Sequence, residues 1–173
     1  MQASHDLAWL NELAPADART ELLKCCGATR WAEAVEQGRP YDSVEQLIAK
    51  ASDIWWALDA TDWLEAFCSH PKIGEKKAAN AVSAQSQQWS AQEQQGVQHA
   101  AQHTMQRLAK LNLDYENKFG FIFIVCATGK SSDEILALLE QRLLNEPAAE
   151  LPVAAAEQAK ITELRLRKLL GYS

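Results

Sequence analysis

The sequence predicts an all-α fold, a single helical domain over residues 1–173 with one extended apolar segment near residues 119–127. Three observations predict it. Strong helix formers dominate, and only 7 of the 173 residues are glycine, so little of the chain opposes helix by propensity. Apolar residues recur at three- and four-residue spacing along most of the length, the period of a helix face turned to a core. Ser-x-x-Glu or Ser-x-x-Gln stands before three of these runs, and that pattern caps a helix start by pairing two orphan backbone donors.

The elements follow in order. Residues 16–26 read as a helix stopped by Gly27, and residues 31–37 as another stopped by Gly38. Ser43-Val44-Glu45-Gln46 opens a helix that carries Leu47, Ile48, Ala51, Trp55 and Leu58 on one side. Thr61 is placed to cap a short helix through Trp63, Leu64 and Phe67. That helix should end near Ser69-His70-Pro71, because the residue before a proline is biased away from helix. Residues 72–88 are polar and read as loop with one short helix. Ser90 opens a long helix with Val97, Ala101, Met105, Leu108 and Tyr115 near one face. Ser131-Ser132-Asp133-Glu134 starts a further helix through Ile135, Leu138, Leu139 and Leu143. A last helix runs from about residue 154 to 170, with Gly171 as its stop and residues 146–152 as the joint before it.

One segment departs from this pattern. Phe119-Gly120-Phe121-Ile122-Phe123-Ile124-Val125-Cys126-Ala127 has the composition of a buried strand, yet no second strand candidate exists to pair with it. Either propensity is overridden there or the segment runs extended through the core. An extended segment leaves backbone N–H and C=O groups in need of partners, which a polar planar ligand can supply.

Composition narrows the function classes. Hydrophobic residues at 47% and charged residues at 23% suit a globular protein of one core. A formal net charge of -6 disfavours phosphate backbones, so no nucleic-acid partner is expected. No apolar run approaches the ~20 residues of a membrane span, and no membrane partner is expected. Met1-Gln2-Ala3-Ser4-His5-Asp6 lacks the basic and apolar stretches of a signal peptide, and Gly171-Tyr172-Ser173 is no peroxisomal address. Cys25, Cys26, Cys68 and Cys126 form neither a C-x-x-C pair nor zinc spacing. The adjacent Cys25 and Cys26 read as buried thiols, so the expected compartment is a reducing cytoplasm.

Three constellations carry chemistry. His70 sits in Ser69-His70-Pro71-Lys72-Ile73-Gly74, where proline stiffens the backbone. An imidazole gives and takes protons near neutrality, although an exposed loop histidine has the same sequence. Ser90-Ala91-Gln92-Glu93-Gln94 is a capping box in which Glu93 need only bond the Ser90 N–H; a helix N-terminus also offers donors to an anion. Arg165 falls mid-way across the apolar arc set by Ile161, Leu164, Leu166 and Leu169. A buried guanidinium needs a partner, either an acidic side chain or a ligand carboxylate gripped by two N–H groups. His99 and His103 have the i, i+4 spacing of a helical metal pair but lack the glutamate of a zinc hydrolase, so no metal site is assigned.

Together these residues resemble the 2-oxo-4-hydroxy-4-carboxy-5-ureidoimidazoline (OHCU) decarboxylase family. The likeness runs from Trp31 and Arg39-Pro40 through Glu65-Ala66-Phe67-Cys68-Ser69-His70-Pro71-Lys72-Ile73-Gly74 and Ser90-Ala91-Gln92-Glu93-Gln94. It continues through Tyr115-Glu116-Asn117-Lys118-Phe119-Gly120-Phe121 and Phe123-Ile124-Val125-Cys126-Ala127, and ends at Ile161-Thr162-Glu163-Leu164-Arg165-Leu166. The resemblance implies an all-helical homodimer that removes CO2 from OHCU to give (S)-allantoin, the last step of urate oxidation, with no cofactor. It implies that His70 and Glu93 are catalytic. It implies substrate contacts at Pro71, Ser90, Gln94 and Arg165 and along the main chain of Phe123, Ile124, Val125, Cys126 and Ala127. In that reading His70 is the acid, Glu93 orients it and keeps it protonated, and Arg165 neutralises a substrate anion. Two other readings use the same helices: a non-catalytic binding domain, which has no use for an arginine in mid-stripe, and a metal-dependent hydrolase built on His99 and His103.

Overall fold

The structure, a computed structural model, describes residues 5–70 and 102–172. Eight α-helices and no strand occur among the described residues: α1 Leu7–Glu12, α2 Pro15–Leu23, α3 Thr29–Gln37, α4 Val44–Ala57, α5 Ala60–Phe67, α6 Gln102–Phe119, α7 Ser132–Arg142 and α8 Pro147–Leu169. The all-α expectation therefore stands. The chain divides into two units, the described residues of Met1–Ala66 with Ala159–Ser173, and those of Phe67–Gln158.

In the first unit, helix starts follow local chemistry. Asp6 caps α1 by accepting the Trp9 N–H at 2.9 Å. The end of α1 is capped from a distance, because Arg39 donates to the carbonyls of Leu10 at 2.8 Å and Leu13 at 2.7 Å. The Ser43 hydroxyl accepts the Gln46 N–H at 3.0 Å, as the capping box predicts. The Gln46 side chain reaches one residue further back than the pattern implies, to the N–H of Asp42 at 2.6 Å. The sequence reading of α5 needs correction: its first turn is held by Asp59, which accepts the Asp62 N–H at 3.2 Å, and not by Thr61. α3 starts against a side chain from α5, with Glu65 accepting both the N–H of Thr29 at 3.1 Å and its hydroxyl at 2.6 Å. The core here holds Leu10, Leu22, Trp31, Val35, Leu47 and Trp55. Trp31 is fully buried, and its indole N–H donates to the Ala51 carbonyl at 3.1 Å, so the ring contributes apolar burial without orphaning its donor.

In the second unit, α6 and α7 pack around Leu108, Leu111, Tyr115, Ile135 and Leu139. Burying each such leucine contributes roughly 1.5–3 kcal/mol relative to exposure. Ser131 caps α7 by accepting the Glu134 N–H at 3.1 Å, as predicted. α6 ends at Gly120, whose φ of 84° is the left-handed conformation that glycine adopts without a Cβ penalty.

The last helix is longer than its sequence reads. α8 begins at Pro147 rather than near residue 154, and Pro152 lies inside it. An interior proline forfeits one helix hydrogen bond. The first turns hold because Glu150, wholly buried, is bonded by Arg142, Tyr115 and Asn145. Proline at the first helical position also suits a helix start. At the other end the predicted stop holds: Gly171 takes φ 85°, and the Tyr172 N–H closes back on the Arg167 carbonyl at 2.7 Å.

Candidate active site

His70 follows α5 directly, its N–H bonded to the Phe67 carbonyl at 3.2 Å, so the helix end fixes its backbone. The ring is part-buried, and its Nε2 lies 2.6 Å from Oε1 of Gln158 on α8. Gln158 has no exposed surface. Two separate elements thus fix the imidazole, one through the backbone and one through the ring. An amide oxygen only accepts, so in this pair Nε2 carries the hydrogen.

The segment at residues 122–127 is neither helix nor strand, and residues 123–127 are all buried. Part of its backbone is bonded by side chains. Arg142 Nη1 donates to the Ile124 carbonyl at 2.6 Å, Glu157 accepts the Cys126 N–H at 3.0 Å, and Lys130 Nζ donates to the Cys126 carbonyl at 2.9 Å. The Lys130 N–H takes the Ala127 carbonyl at 3.0 Å. Charged side chains therefore supply several of the partners that a lone extended segment demands.

Arg142 belongs to a buried cluster. Its Nε and Nη2 lie 2.7 Å and 2.5 Å from the same Glu150 carboxylate oxygen, which also accepts the Tyr115 hydroxyl. Asn145 donates to the other oxygen at 2.9 Å. The guanidinium stands 4.6 Å from the Phe123 ring centroid, a cation–π contact shielded from water. Burial, and then the bond to Glu150, push the Tyr115 phenol well above its ordinary range.

Arg165 is 3% exposed, as its place in the apolar stripe predicts. It lies in the first unit, where its positive charge acts on the Cys25 and Cys26 thiols. Burial dominates both. It pushes Cys26 up to about 12 and Cys25 higher still, against the pull of Arg165. The same unit has a cavity of about 150 Å³ between Trp31, Ile48, Trp55, Thr162 and Leu166. Pro71, Ser90, Glu93, Gln94 and His99 lie outside the described residues. His103 is exposed on α6.

A sequence model of OHCU decarboxylase matches residues 11–167. The chain belongs to the OHCU decarboxylase family. Among relatives, it is 33% identical over 140 residues to the 2-oxo-4-hydroxy-4-carboxy-5-ureidoimidazoline decarboxylase of Amia calva, covering 80% of this chain and 79% of that protein. It is 40% identical over 148 residues to the uric acid degradation bifunctional protein TTL of Arabidopsis thaliana. That match covers 85% of this chain but 45% of the larger protein. Its fold is similar to a crystal structure of OHCU decarboxylase determined in the presence of (S)-allantoin, with TM-score 0.75 and 38% identity over 87% of this chain and 96% of the other.

In this member of the family, His70 and Arg165 are the sequence candidates outside the 123–127 segment that fall among the described residues; Gln158, Glu157 and Arg142, which bond the His70 ring and the 122–127 backbone, were not singled out by the sequence reading. A signal for Gln158 was present. It sits three and four residues from Ala155, Ala154, Ile161 and Thr162, all buried, so it is a polar residue inside the apolar stripe, as Arg165 is. Arg142 carried no such signal, because a basic residue in the last turn of a helix ordinarily serves the helix dipole.

Proposed function

We propose that this chain decarboxylates OHCU to (S)-allantoin in urate degradation, acting as a carboxy-lyase without a cofactor. The observation that carries the reading is the family match across residues 11–167, a span that includes both His70 and Arg165. The likeness to a decarboxylase structure determined with (S)-allantoin supports it further.

The chemistry fits what these residues offer. Loss of CO2 releases the electron pair of the C4–carboxylate bond. The C5=N bond of OHCU beside C4 takes up that pair, so the substrate supplies its own electron sink; C5 then gains the proton and the 4-hydroxyl gives up its own to become the ring carbonyl of allantoin. The protein then has to orient the carboxylate, stabilise developing charge and deliver one proton to one face. His70 delivers the proton, as an imidazole pinned at a helix end and at a buried amide. Such acid–base help typically contributes ~10²–10⁴-fold. Glu93 keeps His70 protonated, and Arg165 neutralises the substrate anion. Pro71, Ser90 and Gln94 contact the substrate, as does the main chain of residues 123–127. The backbones of Phe123 and Val125 fit that last role, since neither makes a hydrogen bond among the described residues. The working form is a homodimer in the cytoplasm, an assignment that rests on the family resemblance.

The test is His70→Ala supplied with freshly generated OHCU while the optical activity of the product is followed. The rate of optically active allantoin formation is expected to fall at least about 100-fold. Formation at the wild-type rate contradicts the role of His70.

A further inference from the structure

We infer that Gln158 is a positioning residue for this reaction: it fixes the Nε2–H tautomer of His70, so that Nδ1 is the nitrogen that exchanges the catalytic proton. The inference rests on the reading above that His70 is the proton-transfer group, and it adds which ring nitrogen works and what selects it.

The geometry is specific. The Nε2···Oε1 separation is 2.6 Å, at the short end for such a bond. Gln158 has no exposed surface. It stands on α8 beside Ala154, Ala155 and Thr162, which are buried. A glutamine that deep costs stability unless its amide is bonded, and a leucine of similar size fills the same space without that demand. The preceding residue, Glu157, holds the N–H of Cys126 at 3.0 Å. One turn of α8 therefore orients both the His70 ring and the backbone of the 122–127 segment.

The neutral imidazole carries one N–H, and the two ring nitrogens compete for it. An amide oxygen facing Nε2 stabilises the tautomer with hydrogen there. Nδ1 is then the acceptor in the neutral ring and the donor in the imidazolium. Without the Gln158 oxygen the ring loses that anchor and the bias it gives to the Nε2–H form. The ring that has given up its Nδ1 proton is then less well held in the Nε2–H form, which lowers kcat more than it raises KM.

The experiment uses the full-length chain with 15N-labelled histidine. The ring signals of His70 are assigned among the four histidines by their loss in His70→Ala. In the wild type, the neutral ring is expected as the Nε2–H tautomer. In Gln158→Leu, the tautomer signature shifts toward a mixture. kcat on fresh OHCU falls about ten-fold, as expected for one lost orienting hydrogen bond, while KM changes little. Gln158→Glu retains an acceptor at the same place and restores most of kcat. A wild-type ring in the Nδ1–H form overturns the inference. So does a Gln158→Leu chain that keeps the wild-type tautomer and kcat, or a glutamate variant as impaired as the leucine one. The same series separates this from the underlying reading. If His70→Ala keeps full activity, the catalytic role of His70 fails; if His70→Ala is inactive while Gln158→Leu is unaffected, only the role of Gln158 fails.

Discussion

Arg142 holds the carbonyl of Ile124 at 2.6 Å while its other nitrogens grip Glu150. A buried cation thus ties the buried non-helical stretch at residues 123–127 to the start of α8. Neither partner of the ion pair is solvated, with side-chain exposures of 8% and 0%. A buried pair of this kind adds modest net stability over an apolar replacement, but removing one partner strands the other.

Arg142→Met is therefore expected to destabilise the fold by about 3–5 kcal/mol. It leaves Glu150 without its cation and the Ile124 carbonyl without its donor. Urea denaturation of the two chains measures this. Replacing both partners, as Arg142→Met with Glu150→Leu, should cost less than the single change. An unchanged midpoint for Arg142→Met means the cluster does not hold the segment.

Alkaline pH should weaken the fold through groups that burial keeps protonated. The Cys26 thiol is raised from 9.0 to about 12, with Cys25 and the Tyr115 phenol raised in the same direction. A group with a raised folded-state pKa contributes its full stability below its unfolded value and loses it as pH climbs through the folded one. The urea midpoint should hold up to about pH 9 and fall between about pH 9 and 12. A chain with Cys25→Ala and Cys26→Ala should fall less steeply across that window. Equal slopes in the two chains contradict the assignment to the thiols.

Thiol reactivity should single out one cysteine of four. Cys68 is exposed at the end of α5, whereas Cys25, Cys26 and Cys126 are buried. Under native conditions at pH 8, a disulfide reagent should modify one thiol promptly and the remaining three only on unfolding. The thiolate is the reactive form, and access limits its attack. Peptide mapping that finds the first label on Cys25 or Cys26 contradicts the packing around α2.

Local rules account for what was legible in the sequence. Ser43 and Ser131 cap helices because their hydroxyls reach an N–H three residues on, within one stretch of chain. Arg165 could be placed in the core because helical periodicity alone puts it there. Apart from the cap of α5, where Asp59 stands only two residues from Thr61, the failures share a cause, which is a partner distant in sequence. α8 extends back past Pro152 because Tyr115, 35 residues away, and Arg142 anchor Glu150. The short α1 escaped notice because its final carbonyls are satisfied by Arg39, 29 residues from Leu10. His70 was visible as a candidate, but its 88-residue reach to Gln158 was not, since no local pattern couples them.

The proposed activity is a stereospecific decarboxylation carried out by the side chains of this chain. To test it, the purified wild-type chain is dialysed against a chelator, OHCU is generated fresh in the cuvette, and circular dichroism is followed as allantoin forms. One enantiomer, (S)-allantoin, should form rapidly, at a rate proportional to protein and indifferent to added metal. Racemic allantoin at the rate seen without protein would contradict it.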